Sequence, residues 1–360
     1  MLKFIKILVA CGARPNFMKI APFLREAKKH NNIECQVFYS NQHYDAELSS
    51  VFLKDMEIRI PFYFMSPTKG SHAEQTAKTM IDFEHTCIDF CPDLVVVVGD
   101  INTTLACTIS AKKLNIPVAH IEAGLRSFDM TMPEEINRMV TDSISDLLFC
   151  TEQEAVLNLQ KEGRIGKMVG NVMVDNLFYQ LDTLKTKRSN RNLPEKYIFL
   201  TLHRPSNVDS KPVLQGIMDI VSEISIKFAT VVFPVHPRTR AALNRFGIKL
   251  PETIWQYTPL GFIDSLSIWK HAVLVMTDSG GLQEETTALK VPCLTLKDNT
   301  ERPCTVTTGT NTIVGINKNK IMSGVSDIFN GDYKIGKVPE MWDGKTAERI
   351  VNIIMEWWKR

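Results

Sequence analysis

The chain has 360 residues, a length that corresponds to about two domains of ordinary size. Its formal net charge of +2 is too close to zero for a protein that coats nucleic acid or an anionic membrane. The cysteines include no Cys-x-x-Cys pair, which argues against zinc ribbons and redox centres. No apolar run is long enough to cross a bilayer. We therefore expect a cytoplasmic globular protein that binds neither nucleic acid nor a membrane.

Short apolar runs alternate with segments of helical length through the first half of the chain. These runs are nearly continuous, as in strands of a parallel sheet that is covered by helices on both faces. They lie at residues 2–10, 34–40, 93–98, 117–121 and 146–150. Helical segments such as 102–114 and 152–162 separate them, so the pattern predicts an α/β fold built from βαβ units.

A polar, basic stretch at 181–196 interrupts this alternation, and we place a domain boundary there. Predicted strands resume after it, at 197–202, 229–235, 272–277 and 292–296. The sequence thus predicts two Rossmann-like, doubly wound domains, at 1–180 and 181–345. The amphipathic segment 346–360 predicts a last helix, which we expect to pack back on the first domain.

Charged and polar residues follow the predicted strands in both halves. Ligands bind at the carboxyl ends of strands in open parallel sheets, because loops and helix N-termini converge there. The residues at or just after these strand ends include Arg14, Lys19, Asp100, Glu122, His203, His236 and Asp278. Such a recurrence is hard to explain as surface decoration, so we expect one active site between the two domains.

The segment Ser279, Gly280 and Gly281 opens a predicted helix at 281–289. The first amides of a helix are unpaired, and glycines allow an anion to approach the backbone closely. The alternative is that Ser279 merely caps the helix and the glycines shape a turn. We favour a phosphate site, because Arg14, Lys19 and Arg302 are further cations that would pair with a diphosphate, although each alone resembles a surface residue.

Carboxylates in the first half are candidates for proton transfer. Asp100 ends a run of four valines, and Glu122 lies at the rim of the sheet. Glu134 follows Pro133 in the first turn of a predicted helix, where an intrahelical ion pair with Arg138 is the simpler interpretation.

Several cofactor and catalytic motifs are missing. No Gly-x-Gly-x-x-Gly follows a strand, and there is no P-loop motif. His-Glu-x-x-His and Gly-x-Ser-x-Gly are also absent. We therefore expect neither a bound nicotinamide nor a catalytic metal, and no cofactor.

Taken together and in order, the motifs resemble those of the non-hydrolysing UDP-N-acetylglucosamine 2-epimerases. The resemblance spans roughly residues 3–315 and rests on Gly12-Ala13-Arg14-Pro15 with Lys19, Gly99-Asp100, 120–127, 133–138, His203-Arg204, 234–236, 278–285, 300–303 and Gly309-Thr310-Asn311. It implies two Rossmann-like domains of the GT-B type facing across a cleft, and a homodimer. It also implies reversible interconversion of UDP-N-acetylglucosamine and UDP-N-acetylmannosamine for surface polysaccharide precursors.

The chemistry of this interconversion restricts the mechanism. The C2 hydrogen lies beside an acetamido group rather than a carbonyl, so simple deprotonation is very unfavourable, and without a nicotinamide transient oxidation is closed. Elimination of UDP to a 2-acetamidoglucal, followed by re-addition, remains. The resemblance assigns the catalytic roles to Asp100, Glu122, Glu134, His203 and Arg302. It assigns substrate binding to Arg14, Lys19, Arg138, His236, Ser279, Gly280, Gly281 and Glu285.

The chain departs from the family pattern at several positions. Asn16 replaces a glutamate, and Pro205 replaces an arginine that binds a second, activating substrate molecule in many bacterial members. Gln42 and His43 are kept as a possible regulatory site. Alternative functions are 2-epimerisation of a related sugar such as UDP-2,3-diacetamido-glucuronate, a hydrolysing epimerase, a GT-B glycosyltransferase, and a non-catalytic sensor of nucleotide sugars.

Overall fold

A computed structural model describes residues 3–40, 62–65, 70–185 and 192–359. The chain divides into two compact units. Unit 1 comprises Met1–Asn176 and Glu340–Arg360, and unit 2 comprises Leu177–Pro339. The change of unit lies within a helix that begins at Val172, a few residues before the boundary predicted at 181.

Unit 1 contains a parallel sheet of seven strands. They are β1 (Ile5–Cys11), β2 (Ile33–Tyr39), β3 (Phe62–Phe64), β4 (Leu94–Val98), β5 (Val118–Ile121), β6 (Leu147–Cys150) and β7 (Gly166–Met168). Its helices are α1 (Arg14–Ala27), α2 (His72–Phe90), α3 (Asn102–Lys113), α4 (Pro133–Ile144), α5 (Gln153–Lys161) and, at the end of the chain, α14 (Thr346–Trp358). Helix α6 (Val172–Lys185) begins in unit 1 and continues into unit 2.

Unit 2 contains a parallel sheet of six strands. They are β8 (Tyr197–Thr201), β9 (Thr230–Pro234), β10 (Ile254–Tyr257), β11 (Leu274–Thr277), β12 (Cys293–Thr295) and β13 (Asn311–Ile313). Its helices are α7 (Pro205–Val208), α8 (Lys211–Lys227), α9 (Pro237–Phe246), α10 (Phe262–Trp269), α11 (Gly280–Leu289), α12 (Pro303–Thr307) and α13 (Lys318–Asn330).

The central strands follow from their apolar, β-branched sequences. Every residue of β4, Leu94 followed by four valines, is buried, as expected for a strand with helices on both faces. The helices begin at recognisable signals: Ser71 and Glu74 form a capping box at α2, and Pro133 occupies the first turn of α4. These features confirm the predicted α/β class with doubly wound, Rossmann-like domains.

The strand order explains where the candidate residues lie. It is β3-β2-β1-β4-β5-β6-β7 in unit 1 and β10-β9-β8-β11-β12-β13 in unit 2. The direction of winding therefore reverses between β1 and β4, and again between β8 and β11. Such reversals open a crevice at the carboxyl ends of the strands, where ligands bind in this class of fold.

The end of the chain belongs to unit 1. Helix α14 packs against α1. Its first amides, those of Thr346 and Ala347, donate to the Asp175 carboxylate at 3.1 and 2.7 Å. The Trp358 indole donates to the Phe4 carbonyl at 3.0 Å. Among the helices in the described ranges, none is both long and apolar enough for a membrane span.

Candidate active site

A glycine turn links β1 to α1 in unit 1. A Cβ atom added at Gly12 would overlap Thr103 Oγ1, so a larger residue would displace the start of α3. The Asn16 side chain accepts the Ala13 amide at 3.0 Å and stabilises the turn. The Arg14 side chain lies outside the described part of the structure.

Glu122 follows β5 in a strained and buried position. Its backbone has φ 71°, the left-handed region that few residues other than glycine adopt, at a cost of about 1–3 kcal/mol. The residue is 3% exposed, and its Oε2 lies 2.5 Å from Lys19 Nζ. A Cβ built on Gly99, after β4, would lie 3.3 Å from the same Nζ atom. Strain and a buried charge coincide here, as they do at functional sites.

Asp100 is held by Arg138. Its Oδ2 accepts hydrogen bonds from Arg138 Nη2 and Nε at 2.7 and 3.0 Å. Arg138 also pairs with Glu135, which accepts the Ser127 and Phe128 amides at 3.0 and 2.9 Å. Burial raises the pKa of Glu135, but these hydrogen bonds and the arginine outweigh it and hold the pKa below its usual value. Glu135 thus fixes the guanidinium that orients Asp100.

The simpler interpretation of Glu134, an ion pair with Arg138 on the same helix, is wrong. Arg138 turns instead to Glu135 and Asp100. Within the described ranges, no hydrogen bond or ion pair engages the half-buried Glu134 carboxylate. Glu135 lies at i,i+3 from Arg138, a spacing that also allows an ion pair on a helix, and the fold brings these two together.

A fully buried histidine supports the end of β4. His120 Nε2 lies 2.9 Å from the Gly99 carbonyl, and its Nδ1 lies 2.7 Å from Asp142. Asp142 also accepts from Arg126 at 2.7 Å. Burial raises the pKa of Asp142, but His120 and Arg126 outweigh it and leave the pKa low. The sequence did not identify Asp142, because it lies on α4, far from His120 along the chain.

In unit 2, His203 and His236 follow adjacent strands, and their ring centroids are 5.5 Å apart. His203 Nδ1 lies 3.1 Å from the carboxylate of Asp278, which follows β11. His236 Nδ1 accepts the Arg238 amide at 3.2 Å and so caps α9. The structure therefore brings these predicted residues to one edge of the unit 2 sheet.

The N-terminus of α11 has the features expected of a phosphate site. The Ser279 side chain makes no capping hydrogen bond in the structure as described, which disfavours the simpler interpretation of this serine as a helix cap. A Cβ added at Gly280 would meet open space. The adjoining amides of Gly280 and Gly281 are in the first turn, where the helix leaves amides unpaired.

Two glutamates on α11 have opposite environments. Glu284 pairs with the buried Arg302. Glu285 is 5% exposed, and burial, with the neighbouring Glu284 charge as a second cause, raises its pKa to about 8. Gln283 on the same helix accepts from Thr300 Oγ1 at 2.8 Å and tethers the loop that carries Arg302. Gln42 and His43, the possible regulatory residues, lie outside the described residues.

These features define an α/β protein with two doubly wound domains, in which acids and cations meet at one sheet edge and histidines meet a helix N-terminus at another. A family model described as UDP-N-acetylglucosamine 2-epimerase matches residues 25–355. The chain belongs to this family, which confirms the family indicated by the motifs.

Individual relatives agree with this assignment. A UDP-N-acetylglucosamine 2-epimerase of Methanocaldococcus jannaschii is 41% identical over 97% of this chain and 99% of its own. Its crystal structure in complex with UDP-GlcNAc and UDP has a TM-score of 0.87, with 98% and 100% of the two chains covered. A UDP-2,3-diacetamido-2,3-dideoxy-D-glucuronate 2-epimerase of Pseudomonas aeruginosa is 38% identical over 88% of this chain and 90% of its own.

Proposed function

We propose that the protein is a non-hydrolysing 2-epimerase that reversibly converts UDP-N-acetylglucosamine to UDP-N-acetylmannosamine. The observation that carries this proposal is the buried, strained Glu122 paired with Lys19 beside Gly99 and Asp100. Family membership and the UDP-GlcNAc and UDP bound to the relative from Methanocaldococcus jannaschii support the substrate class.

The reaction proceeds by elimination and re-addition of UDP. A carboxylate removes the C2 proton, the C2–H electron pair forms the C1=C2 double bond, and the C1–O bond breaks so that UDP leaves with its electron pair. The intermediate is a 2-acetamidoglucal. UDP then adds back to C1 while an acid delivers a proton to the opposite face of C2. Electrons balance without an oxidant or reductant, so the scheme needs no nicotinamide.

Unit 1 supplies the acids and bases of this scheme. Asp100, Glu122 and Glu134 are the candidates for the base and the acid that act on opposite faces of C2. Arg138 orients Asp100, and Lys19 compensates the buried charge of Glu122. We assign binding of the diphosphate to Arg14 and Lys19 as well.

Unit 2 holds the nucleotide. The open backbone at Gly280, with Ser279 and Gly281, receives the phosphates. Glu285 accepts ribose hydroxyls, and its elevated pKa means that binding to these donors must favour the ionised form. His203, His236 and Arg302 stabilise the departing UDP.

An NMR time course in heavy water tests the proposal. The purified protein is given UDP-N-acetylglucosamine without nicotinamide, and we expect UDP-N-acetylmannosamine that carries deuterium at C2. Free N-acetylmannosamine with UDP would identify a hydrolysing enzyme instead. Product without solvent deuterium, or a requirement for an acceptor sugar, would contradict the proposed reaction.

A related substrate is the second candidate, because a 2-epimerase of UDP-2,3-diacetamido-2,3-dideoxy-D-glucuronate is 38% identical to this chain. The same time course with that sugar, at equal concentration, ranks the two by kcat/KM. The proposal also includes a homodimer and a regulatory role for Gln42 and His43, and sedimentation and substrate-saturation curves measure these separately.

A further inference from the structure

We propose that Asp278 is a positioning residue for His203, which fixes the ring proton on Nδ1 and leaves Nε2 to act on the departing diphosphate. This inference rests on the proposed function. Asp278 directly precedes Ser279 and Gly280, so the pair lies beside the phosphate site. The sequence alone did not indicate that Asp278 and His203 form a pair, because the two residues follow different strands.

Hydrogen bonds other than the one with the His203 ring hold the Asp278 carboxylate in place. It is fully buried and accepts the backbone amides of His203 and Arg204, at 3.0 and 2.9 Å to Oδ2. The Asn207 side chain donates to the same oxygen at 3.1 Å and is itself fixed by a 2.9 Å bond to the Leu296 carbonyl. The carboxylate therefore ties the end of β8 to the end of β11.

This geometry determines the tautomer of His203. All the donors around Asp278 suit an ionised carboxylate, which accepts hydrogen bonds and donates none. The His203 nitrogen at 3.1 Å from Oδ1 is Nδ1, so Nδ1 must carry the hydrogen. In the described part of the chain, no residue bonds Nε2, and the side chain is 38% exposed. Nε2 is the ring nitrogen that a ligand reaches.

The electrostatics agree with this arrangement. Burial raises the pKa of Asp278, but the hydrogen bond and charge of His203, with the Arg204 and His203 amides, outweigh it and keep the pKa low. The other titratable or charged groups around the pair are His236 on the neighbouring strand end, Arg204, and Lys297, which interacts with Asp278 and with Glu301.

The pair has a defined role in the elimination. An ionised Asp278 stabilises the imidazolium, whose Nε2–H donates to a phosphate oxygen as the C1–O bond breaks. If that proton transfers to the phosphate, the neutral ring retains its Nδ1 hydrogen and recovers the proton at Nε2 on re-addition. An Asp278→Asn amide would donate to Nδ1, favour the Nε2–H tautomer and destabilise the imidazolium.

The first test reads the tautomer directly. Nitrogen-15 NMR of the native protein with UDP is followed through a pH titration, with the His203 signals assigned through His203→Asn. We expect the hydrogen that the ring retains in its neutral form to lie on Nδ1. A neutral ring protonated at Nε2 would overturn the proposal. This readout requires no turnover, so it distinguishes failure of this inference from failure of the epimerase assignment.

The second test is a double-mutant cycle on kcat. We expect Asp278→Asn to lower kcat about 10²-fold or more and to move the loss of activity on the basic side to lower pH. In a His203→Asn background the same change should cost little, because both residues act as one unit. Multiplicative losses would contradict the proposal.

Asn207→Ser is the matched control for damage to the surrounding network. This substitution removes the hydrogen bonds to Asp278 and to the Leu296 carbonyl but leaves the contact between Asp278 and the His203 ring unaltered. We expect a lower melting temperature with an unshifted pH profile. A shifted profile in Asn207→Ser equal to that of Asp278→Asn would show that loosening of the strand ends, rather than the tautomer, is responsible.

Discussion

The two units share one winding pattern but carry different chemistry at its reversal. In unit 1, the ends of β4 and β5 present carboxylates that are paired with cations: Asp100 with Arg138 and Glu122 with Lys19. In unit 2, the ends of β8 and β11 present a histidine supported by Asp278 and an open helix N-terminus. The fold thus determines where the residues at the strand ends come together. The identity of the residues that follow each strand determines the chemistry of the site.

The two units also differ in how they accommodate buried carboxylates. In unit 1, Glu122 is paired with a lysine and Asp100 with an arginine, whereas burial beside a second glutamate raises the pKa of Glu285 in unit 2 to about 8. A buried acid without a cation favours its protonated form. The cation-paired carboxylates of unit 1 suit proton exchange. The uncharged Glu285 of unit 2 suits a role in which the group ionises when a ligand binds.

The largest expected effect is on turnover and comes from unit 1. Glu122→Gln should lower kcat about 10²- to 10⁴-fold, the usual contribution of a general acid or base, while UDP affinity changes little. Rates by NMR and calorimetry with UDP check the two quantities. Glu162→Gln, at the surface end of the Arg126 pair, is the control and should retain turnover. Turnover of Glu122→Gln within twofold of the native rate would remove this residue from the chemistry.

Next in size is an effect on binding in unit 2. A methyl group at Gly280 meets no protein atom, so Gly280→Ala should fold normally but obstruct the phosphates. We expect UDP affinity to fall roughly tenfold, or about 1.4 kcal/mol. Gly216→Ala, in the interior of α8 and equally unobstructed, should leave UDP binding unchanged and stabilise the helix slightly. Equal UDP affinities in both variants would refute the phosphate site.

The raised pKa of Glu285 in unit 2 predicts a specific pH dependence of the free energy of unfolding. Its pKa is about 8 in the folded protein and near 4.5 when unfolded, so the folded state binds the additional proton between these values. Its contribution to stability is therefore present at low pH and is lost as pH rises towards 8. Denaturant titrations should show a weaker decline in this window for Glu285→Gln than for the native protein. Identical pH dependence in the two proteins would show that Glu285 is ionised throughout.

The smallest effect concerns the attachment of the last helix to unit 1. Asp175→Ala removes the acceptor for the first two amides of α14 and should cost about 1–2 kcal/mol, as loss of a helix cap does. We expect a melting temperature a few degrees lower and an unchanged kcat. A large loss of kcat at full occupancy of the folded state would give this end of the chain a role beyond stability.

Sequence reasoning located the central strands because their apolar runs are continuous. It missed β3, β7, β10 and β13, which are the outer strands of the two sheets. These are three or four residues long, and β7 and β10 are partly exposed, so they lack the apolar run that marks a buried strand.

The residues of the candidate site also differ in how far the sequence predicts them. Residues that follow a central strand, such as Asp100 and His203, could be selected because the end of a parallel strand fixes their position. The pairing of Asp100 with Arg138 and of His203 with Asp278 could not be assigned, since pairing depends on which side chains the fold brings within hydrogen-bond distance. The left-handed backbone of Glu122 likewise has no sequence signal, because glycine is the residue that marks such turns.

The central proposal is that the protein epimerises a UDP-sugar through cleavage of its C1–O bond. Incubation with UDP-N-acetylglucosamine labelled with oxygen-18 at the bridging C1–O–P position tests this most directly. We expect the label to scramble into non-bridging oxygens of the β-phosphate as the product forms, and Glu122→Gln to suppress this scrambling. Product whose label remains entirely in the bridge would contradict it.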